Sequence, residues 1–228
     1  MKHKKTERAR ISRLDADAKQ ELLARASRVL RRQGFAATTI RELAAALDVG
    51  PSTFYYHFRD KDDLFVQTLQ SELSSLAARV ERAGKALPKD RGIDQLERVL
   101  REITTFQLDW QAMVEGEPAR VRSLNYLVGA LPESVRLKTI PHERSILNTV
   151  RATLEAGKKD GSMDVLDVTM TAFAVMAPSE QLIIWYRPDG RLPPAKAIKM
   201  CVALALRIVA RTAPVLNRST RRNGAATA

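Results

Sequence analysis

Apolar residues recur at intervals of three and four along nearly the whole chain, and this spacing limits the possible fold more than any other feature. Such intervals place side chains on one face of an α-helix, whereas a half-buried strand requires strict alternation, and the sequence contains no convincing alternating segment. Gly, Pro and Asp signals divide the chain into about nine helical segments. The sequence therefore predicts an all-α protein without a sheet.

Two of the predicted helices are short and are joined by a three-residue turn. Thr39, with Glu42 three residues later, has the capping-box pattern that starts a helix. Asp48-Val49-Gly50 then predicts a tight turn. Pro51 stands where a first helical residue tolerates proline, and the following helix ends at Phe58 after about two turns. Such a pair of helices is typical of a helix-turn-helix, whose second helix fits the major groove of DNA.

The second short helix has two chemically different faces. Phe54 and Phe58, together with Val49, have the spacing that directs them toward the preceding helix. The opposite face carries hydroxyl, phenol and imidazole groups that can hydrogen-bond phosphate oxygens or base edges. These are Ser52, Thr53, Tyr55, Tyr56 and His57. Taken without its neighbours, this cluster is better explained by helix packing around a core histidine, and it is the surrounding pattern that favours DNA contact.

Charge is unevenly distributed along the chain. The formal net charge is +12 and the isoelectric point is near 10.2, which favours a polyanionic partner such as nucleic acid or an anionic membrane. Residues 1–13 carry six Lys or Arg residues and one acidic residue, whereas basic and acidic residues balance over 14–63. Residues 1–15 are therefore interpreted as a flexible basic arm, which is either a solvated tail or a segment that lies along phosphates.

The breaks along the chain define its organisation. A helix-turn-helix domain is predicted over 16–62, with its first helix over about 18–33, followed by a connecting helix over 63–84. The break signals of 84–92 separate these from a helical ligand-binding and dimerisation domain over 85–213, and a disordered tail follows over 214–228. Further helices are expected at about 93–111, 118–127, after Pro132, 141–158, 165–186 with an interruption at Pro178, and 193–213.

The larger domain is rich in aromatic and methionine residues at helical spacing. For any one of them core packing is the better explanation, but together they exceed what short facing helices need, so we expect an apolar cavity between helices. The candidate ligand-binding residues are Phe106, Trp110, Met113, Leu124, Tyr126, Met170, Phe173 and Trp185.

The segment TTIRELAAALDVGPSTFYYHFRDKDDLF resembles the DNA-binding region of the TetR family of bacterial transcriptional regulators. That family combines a Thr-Ile-x-x-Ile/Leu-Ala helix, a Gly-Val-Ser-like turn, Thr-Leu-Tyr-Tyr-His-Phe and x-x-Lys-x-x-Leu. The resemblance implies phosphate-contacting or positioning roles for Thr39, Thr53, Tyr55, Tyr56, His57 and Lys61. It implies contacts to bases or nearby backbone for Arg41 and Ser52. Asp48, Gly50 and Ser52 depart from the common pattern, and Gly50 replaces a frequent serine cap.

The segment LIIWYRPDGRLPPAKAIKMCVALALRIV is similar to the last two helices of TetR-like regulators of fatty-acid and steroid breakdown. In that branch the two helices form a four-helix bundle with the same pair of a second subunit. The resemblance therefore implies a homodimer, and it suggests an apolar or acyl-CoA-like effector.

The sequence gives no positive sign of an enzyme, a cofactor or a membrane protein. It lacks the nucleophile-elbow, phosphate-loop and zinc-protease motifs, and its three histidines and single cysteine form no ligand pattern. We expect a cytoplasmic regulator that binds a pseudo-palindromic double-stranded operator as a homodimer and is released by its effector, with no cofactor. The alternative is a constitutive or protein-regulated DNA-binding factor whose C-terminal domain only dimerises.

Overall fold

The computed structural model describes residues 2–114, 133–187 and 189–211. Within these ranges the protein forms nine helices and no strand, which confirms the predicted all-α class. The helices are α1 (Lys2–Gln33), α2 (Ile40–Ala46), α3 (Pro51–His57), α4 (Lys61–Gly84), α5 (Gly92–Met113), α6 (Glu133–Lys159), α7 (Val168–Glu180), α8 (Leu182–Trp185) and α9 (Pro194–Ile208). The helix predicted over 118–127 and the tail over 214–228 lie outside the described residues.

Helix α1 is much longer than the sequence analysis predicts. The sequence predicts a start near Ala18, after a flexible arm and with Asp17 as a possible cap, but α1 continues back to Lys2. Residues 2–17 contain neither Gly nor Pro and consist mainly of residues with good helix propensity, so nothing in this segment stops the helix. The basic N-terminal segment is thus an extension of α1 in this structure.

Helices α1 to α3 and the start of α4 share one small core. Its centre is formed by Leu30, Leu43, Phe54, Phe58 and Leu64, all of them buried. Helix α1 packs against α4 and α5, whereas α3 contacts the rest of the domain chiefly through α2 and its own buried phenylalanines. This arrangement leaves one side of α3 exposed to solvent.

Helix α4 joins the small domain to the larger one. Its apolar stripe is buried along its length, from Leu64 to Val80, because α4 packs against α1, α5 and α6. The break signals after Gly84 form a short loop that turns the chain back so that α5 lies on α4. A Cβ atom at Gly92 would lie 2.1 Å from the backbone nitrogen of Gly157, so this helix start requires glycine. The two domains are therefore joined by a packed helix.

Helix α5 is the centre of the larger domain and packs against α4, α6, α7, α8 and α9. The sequence analysis is wrong in starting a helix at Pro141, because α6 begins at Glu133 and continues through this exposed proline. Pro141 has no N–H to donate to the Leu137 carbonyl one turn earlier, but both residues are exposed, so water can satisfy that carbonyl. Pro178 lies inside α7, and the helix ends two residues later at Glu180.

Helices α7 and α9 pack against each other and against α5. Cys201 is buried between them, and its thiol lies 3.7 Å from the Pro178 carbonyl oxygen. Burial raises the pKa of this thiol above its usual value. None of the described helices combines the length and the apolar character needed to cross a bilayer.

Candidate nucleic-acid interface

The turn between α2 and α3 fixes the position of α3. Asp48 has a φ of 55°, in the left-handed region, and its N–H donates to the Ala45 carbonyl (3.1 Å). The next N–H, of Val49, donates to the Ala44 carbonyl (3.0 Å). These two bonds form a Schellman motif, in which the left-handed position is usually glycine. Asp48 thus occupies the position where the TetR pattern often has glycine.

Helix α3 presents the two faces predicted from its sequence. Phe54 and Phe58 are each 1% exposed, whereas Tyr55 and Tyr56 are 57% and 75% exposed. The Tyr56 ring lies edge-on to the ring of His57, with 4.9 Å between ring centroids. The side chains of Ser52 and Thr53 are also exposed. The polar face of α3 is therefore free to meet a phosphate wall or base edges.

Thr39 is already engaged in the cap of α2. Its hydroxyl donates to the Glu42 carboxylate (2.8 Å) and accepts from the Glu42 N–H (3.2 Å), while the Thr39 N–H donates back to the carboxylate (2.8 Å). These bonds hold the pKa of Glu42 below its ordinary value. Donation from the Thr39 hydroxyl to a phosphate would first require this bond to Glu42 to break, so phosphate contact by Thr39 stays a prediction.

Lys61 lies at the start of α4, beside the turn that follows α3. Its ammonium nitrogen is 4.2 Å from the centroid of the Phe35 ring, a cation–π contact that holds the side chain in place. The Asp60 carboxylate accepts from the Asp63 N–H (2.7 Å) and caps the helix. Partial burial acts to raise the pKa of Asp63, but hydrogen bonds from the Arg59 backbone and the Gln67 side chain lower it. Lys61 is therefore a fixed cation at the edge of the interface.

An open cleft of about 450 Å³ lies between α2 and α3. Arg41 and Tyr55, both exposed, line it together with Ala44, Ala45 and Pro51. The sequence analysis identified Arg41 and Tyr55 as candidate contacts but missed the alanines. No sequence signal distinguishes an alanine that lines a cleft from one that faces solvent.

The candidate ligand-binding residues divide into groups that do not lie together. Phe106, Trp110 and Met113 are buried on α5, whereas Met170, Phe173 and Trp185 are 72%, 53% and 53% exposed. The last three therefore lie at the surface of the protomer, and their role in binding a ligand stays a prediction. Helix α7 is apolar around its whole circumference, so its periodicity did not reveal which face is buried. Leu124 and Tyr126 lie outside the described residues.

A charged cluster connects the small domain to the larger one, and the sequence analysis did not foresee it. Arg31 of α1 pairs with Glu72 of α4 (2.7 Å) and with Asp109 of α5 (2.9 Å). The buried Ser27 hydroxyl donates to the other oxygen of Glu72 (2.6 Å). Arg31 and Asp109 are separated by 78 positions in sequence, so no local pattern could have identified the cluster. It links α1 to both α4 and α5, beside their apolar contacts.

A short, exposed and polar recognition helix, held by two buried phenylalanines and a capped partner helix, defines a helix-turn-helix DNA-binding regulator. Comparison with protein families agrees with this class. The N-terminal domain of bacterial regulatory proteins of the tetR family matches residues 22–68. The tetracyclin repressor-like C-terminal domain matches residues 89–209, more than half of the chain. The chain belongs to the TetR family and is a DNA-binding transcriptional regulator.

Relatives and solved structures share this architecture. The transcriptional repressor KstR2 of Rhodococcus jostii (strain RHA1) is 27% identical over 203 residues, which cover 82% of this chain and 88% of KstR2. A tetR-family regulatory protein from Rhodococcus RHA1 has a solved structure with a TM-score of 0.63 and 26% identity, covering 86% of this chain and 98% of that one. The complex of AibR with isovaleryl coenzyme A and operator DNA matches with a TM-score of 0.59 and 16% identity, covering 82% and 97%.

Proposed function

We propose that the protein is a homodimeric, cytoplasmic repressor that binds a pseudo-palindromic operator through the polar face of α3 and is released by a small apolar or acyl-CoA-like effector. One observation carries the DNA-binding part. Tyr55 and Tyr56 are exposed on the same two-turn helix whose Phe54 and Phe58 are fully buried. A helix that packs with only one face, and carries hydrogen-bonding groups on the other, has the organisation of a recognition helix.

The exposed apolar side chains of the larger domain support the dimer. Met170 and Phe173 on α7, and Met200, Leu204 and Ile208 on α9, are between 47% and 72% exposed. The α9 residues recur every four positions and so form one stripe. Apolar surface of this extent is typical of an interface. Pairing α7 and α9 with the same two helices of a second protomer would form a four-helix bundle and would cover these residues.

The dimer sets the geometry of DNA binding. Two recognition helices related by a two-fold axis reach successive major grooves when their centres are about 34–36 Å apart. An effector that binds best to a dimer with a different separation lowers the affinity for the operator. KstR2 is named a transcriptional repressor, and this name supports the direction of regulation proposed here.

The proposed effector site involves the buried aromatic face of α5. Phe106, Trp110 and Met113 are one turn apart, and the carbonyl of Met113 accepts from the backbone N–H of Phe35 in the small domain (2.8 Å). A shift of this end of α5 would therefore be transmitted to the loop after α1. The AibR complex holds isovaleryl coenzyme A and operator DNA in this fold, which supports an acyl-CoA-like effector. Roles for Leu124, Tyr126, Met170, Phe173 and Trp185 in binding the effector remain part of this proposal.

The exposure of Met170, Phe173 and Trp185 also favours a second candidate function. If these side chains serve only the dimer, the protein is a constitutive or protein-regulated DNA-binding factor. Thermal shift measurements with acyl-CoAs, fatty acids, steroids and aromatic drugs separate the two functions. An effector-controlled repressor gains melting temperature with at least one class of compound and releases its DNA in the presence of that compound. The absence of a shift across the panel would favour the constitutive factor.

Equilibrium binding of the full-length protein to a duplex spanning its own upstream region, at low salt, tests the DNA-binding part. Tyr56→Ala is the informative variant, because it removes an exposed phenol from the polar face of α3. We expect tight binding by the wild type and a loss of at least tenfold in the variant. Equal binding by both proteins would show that this face does not contact DNA.

A further inference from the structure

The cleft between α2 and α3 is lined almost entirely by apolar groups. Ala44, Ala45, Pro51 and Phe54 contribute to its lining, and Tyr55 lies on its rim. Arg41 is the single charged residue among those that line it. Its surface is therefore suited to an apolar group that enters from outside, and poorly suited to a polar group that would lose its hydrogen bonds to water.

The position of the cleft indicates which part of a DNA duplex would enter it. Pro51 and Tyr55 belong to the first turns of α3, and the N-terminal residues of a recognition helix contact base edges in the major groove. Arg41 and Tyr55 both line the cleft and are exposed, and the family resemblance implies DNA contacts for both. A base edge therefore lies opposite the cleft when α3 occupies the groove.

Among the base edges of the major groove, thymine alone presents a methyl group, whereas the other edges offer mainly hydrogen-bond donors and acceptors. We propose that this cleft reads one thymine in each operator half-site by accepting its C5-methyl group against Ala45, Pro51 and Tyr55. The inference rests on the proposed DNA-binding function and extends it, because it makes Ala45 a specificity-determining residue. It concerns one base pair and leaves the phosphate contacts of α3 unchanged.

Replacement of thymine by deoxyuridine tests the inference, because this change removes only the methyl group. The full-length protein is first used to enrich duplexes from a random library, and each thymine of the enriched site is then replaced in turn. We expect one thymine in each half-site at which replacement weakens binding by about three- to tenfold, as the burial of one methyl group implies. The remaining replacements are expected to change affinity less than about twofold.

A matched pair of variants assigns the effect to the cleft. Ala45→Leu fills the cleft, so the protein should bind the thymine and deoxyuridine duplexes equally at the sensitive position. Ala46→Leu places the same side chain on the same helix at an exposed position that does not line the cleft, and it should retain the discrimination. Since both alanines are exposed, melting temperatures close to that of the wild type are expected and verify folding.

The outcomes distinguish this inference from the proposed function. If an enriched duplex binds tightly but no thymine is sensitive to loss of its methyl group, the inference is wrong and the proposed function stands. Equal effects of Ala45→Leu and Ala46→Leu on the discrimination would also overturn it. If the library yields no enriched duplex, both the inference and the proposed DNA-binding function fail.

Discussion

At the scale of single residues, the aromatic side chains of α3 fall into two groups, one buried in the core and one exposed to solvent. Phe58 is 1% exposed and lies within contact distance of the Phe54 ring, with 5.5 Å between centroids. Tyr56, two positions earlier, is 75% exposed and contacts the neighbouring His57. Removal of the Phe58 side chain should therefore cost more stability than removal of the Tyr56 side chain.

Phe58→Ala should lower the free energy of unfolding by about 3–5 kcal/mol, because it leaves a cavity in a small core. Tyr56→Ala should change stability by less than about 0.5 kcal/mol, because the side chain is exposed, while DNA affinity falls at least tenfold. Urea denaturation of both variants, with binding assays on the folded Tyr56→Ala protein, measures the difference. Equal losses of stability would contradict the division of α3 into two faces.

Asp48 holds a backbone conformation that suits glycine better. Its φ of 55° is costly for a residue with a Cβ atom, although Asp tolerates it better than most. We expect Asp48→Gly to raise the free energy of unfolding by about 0.5–1 kcal/mol, and Asp48→Ala to lower it. Both variants remove the carboxylate, so the difference between their melting temperatures measures the effect of the backbone conformation rather than of the charge. A lower melting temperature for Asp48→Gly than for Asp48→Ala would show that the turn is not under such strain.

Local patterns predicted the helix-turn-helix elements well and the exposure of the α7 side chains poorly. The cap at Thr39, the turn at Asp48 and the buried phenylalanines of α3 are all encoded within about twenty residues, where spacing and residue type suffice. The exposure of Phe173 depends instead on which helices surround α7 in the folded chain. No single-chain pattern contains that information.

At the scale of helices, the charged cluster of Arg31, Glu72 and Asp109 determines how α1 sits against α4 and α5. The side chains are partly exposed, so their pairing is weaker than in a sealed core. Burial raises the pKa of Asp109, and the nearby Arg31 opposes that rise. Removal of the cation therefore leaves two neighbouring carboxylates with only the Ser27 hydroxyl as a donor to Glu72.

Arg31→Met should lower the free energy of unfolding by about 1–2 kcal/mol near neutral pH. Without Arg31, burial raises the pKa of Asp109 without an opposing cation from α1. A carboxyl group whose folded-state pKa is raised contributes stability at low pH that is lost as the pH rises, so the deficit of the variant should shrink toward about pH 5. Urea titrations of wild type and variant near neutral pH and at about pH 5 measure the difference in the free energy of unfolding. Arg28→Met, an exposed change on the same helix, is the control, and an equal deficit at both pH values would contradict the role of the cluster.

The helix ends also show where sequence signals were overridden. Asp17 and Pro141 each have the character of a helix start, yet α1 and α6 continue through them. In both cases the preceding residues form helix well enough that a local signal does not interrupt it. At Thr39 and Asp60 the same kind of signal follows a loop, and there it marks the true start.

At the scale of the whole molecule, the proposed binding to a pseudo-palindromic operator requires two protomers joined through α7 and α9. Introduction of a carboxylate by Met200→Glu should prevent pairing, because Met200 is on the exposed apolar stripe of α9. We expect a monomer in sedimentation equilibrium and a loss of operator affinity of at least tenfold, since each half-site would then bind alone. Ala152→Glu, at an exposed position on α6, should remain a dimer with wild-type affinity.

The central claim is that two copies of α3 read one pseudo-palindromic site. Hydroxyl-radical footprinting of the full-length protein on its upstream region, at low salt, tests this most directly. We expect two protected segments related by two-fold symmetry, with centres one helical turn or about 34–36 Å apart. Both segments should lose their protection when Tyr56→Ala replaces the wild type. A single unpaired segment, or no protection at all, would contradict it.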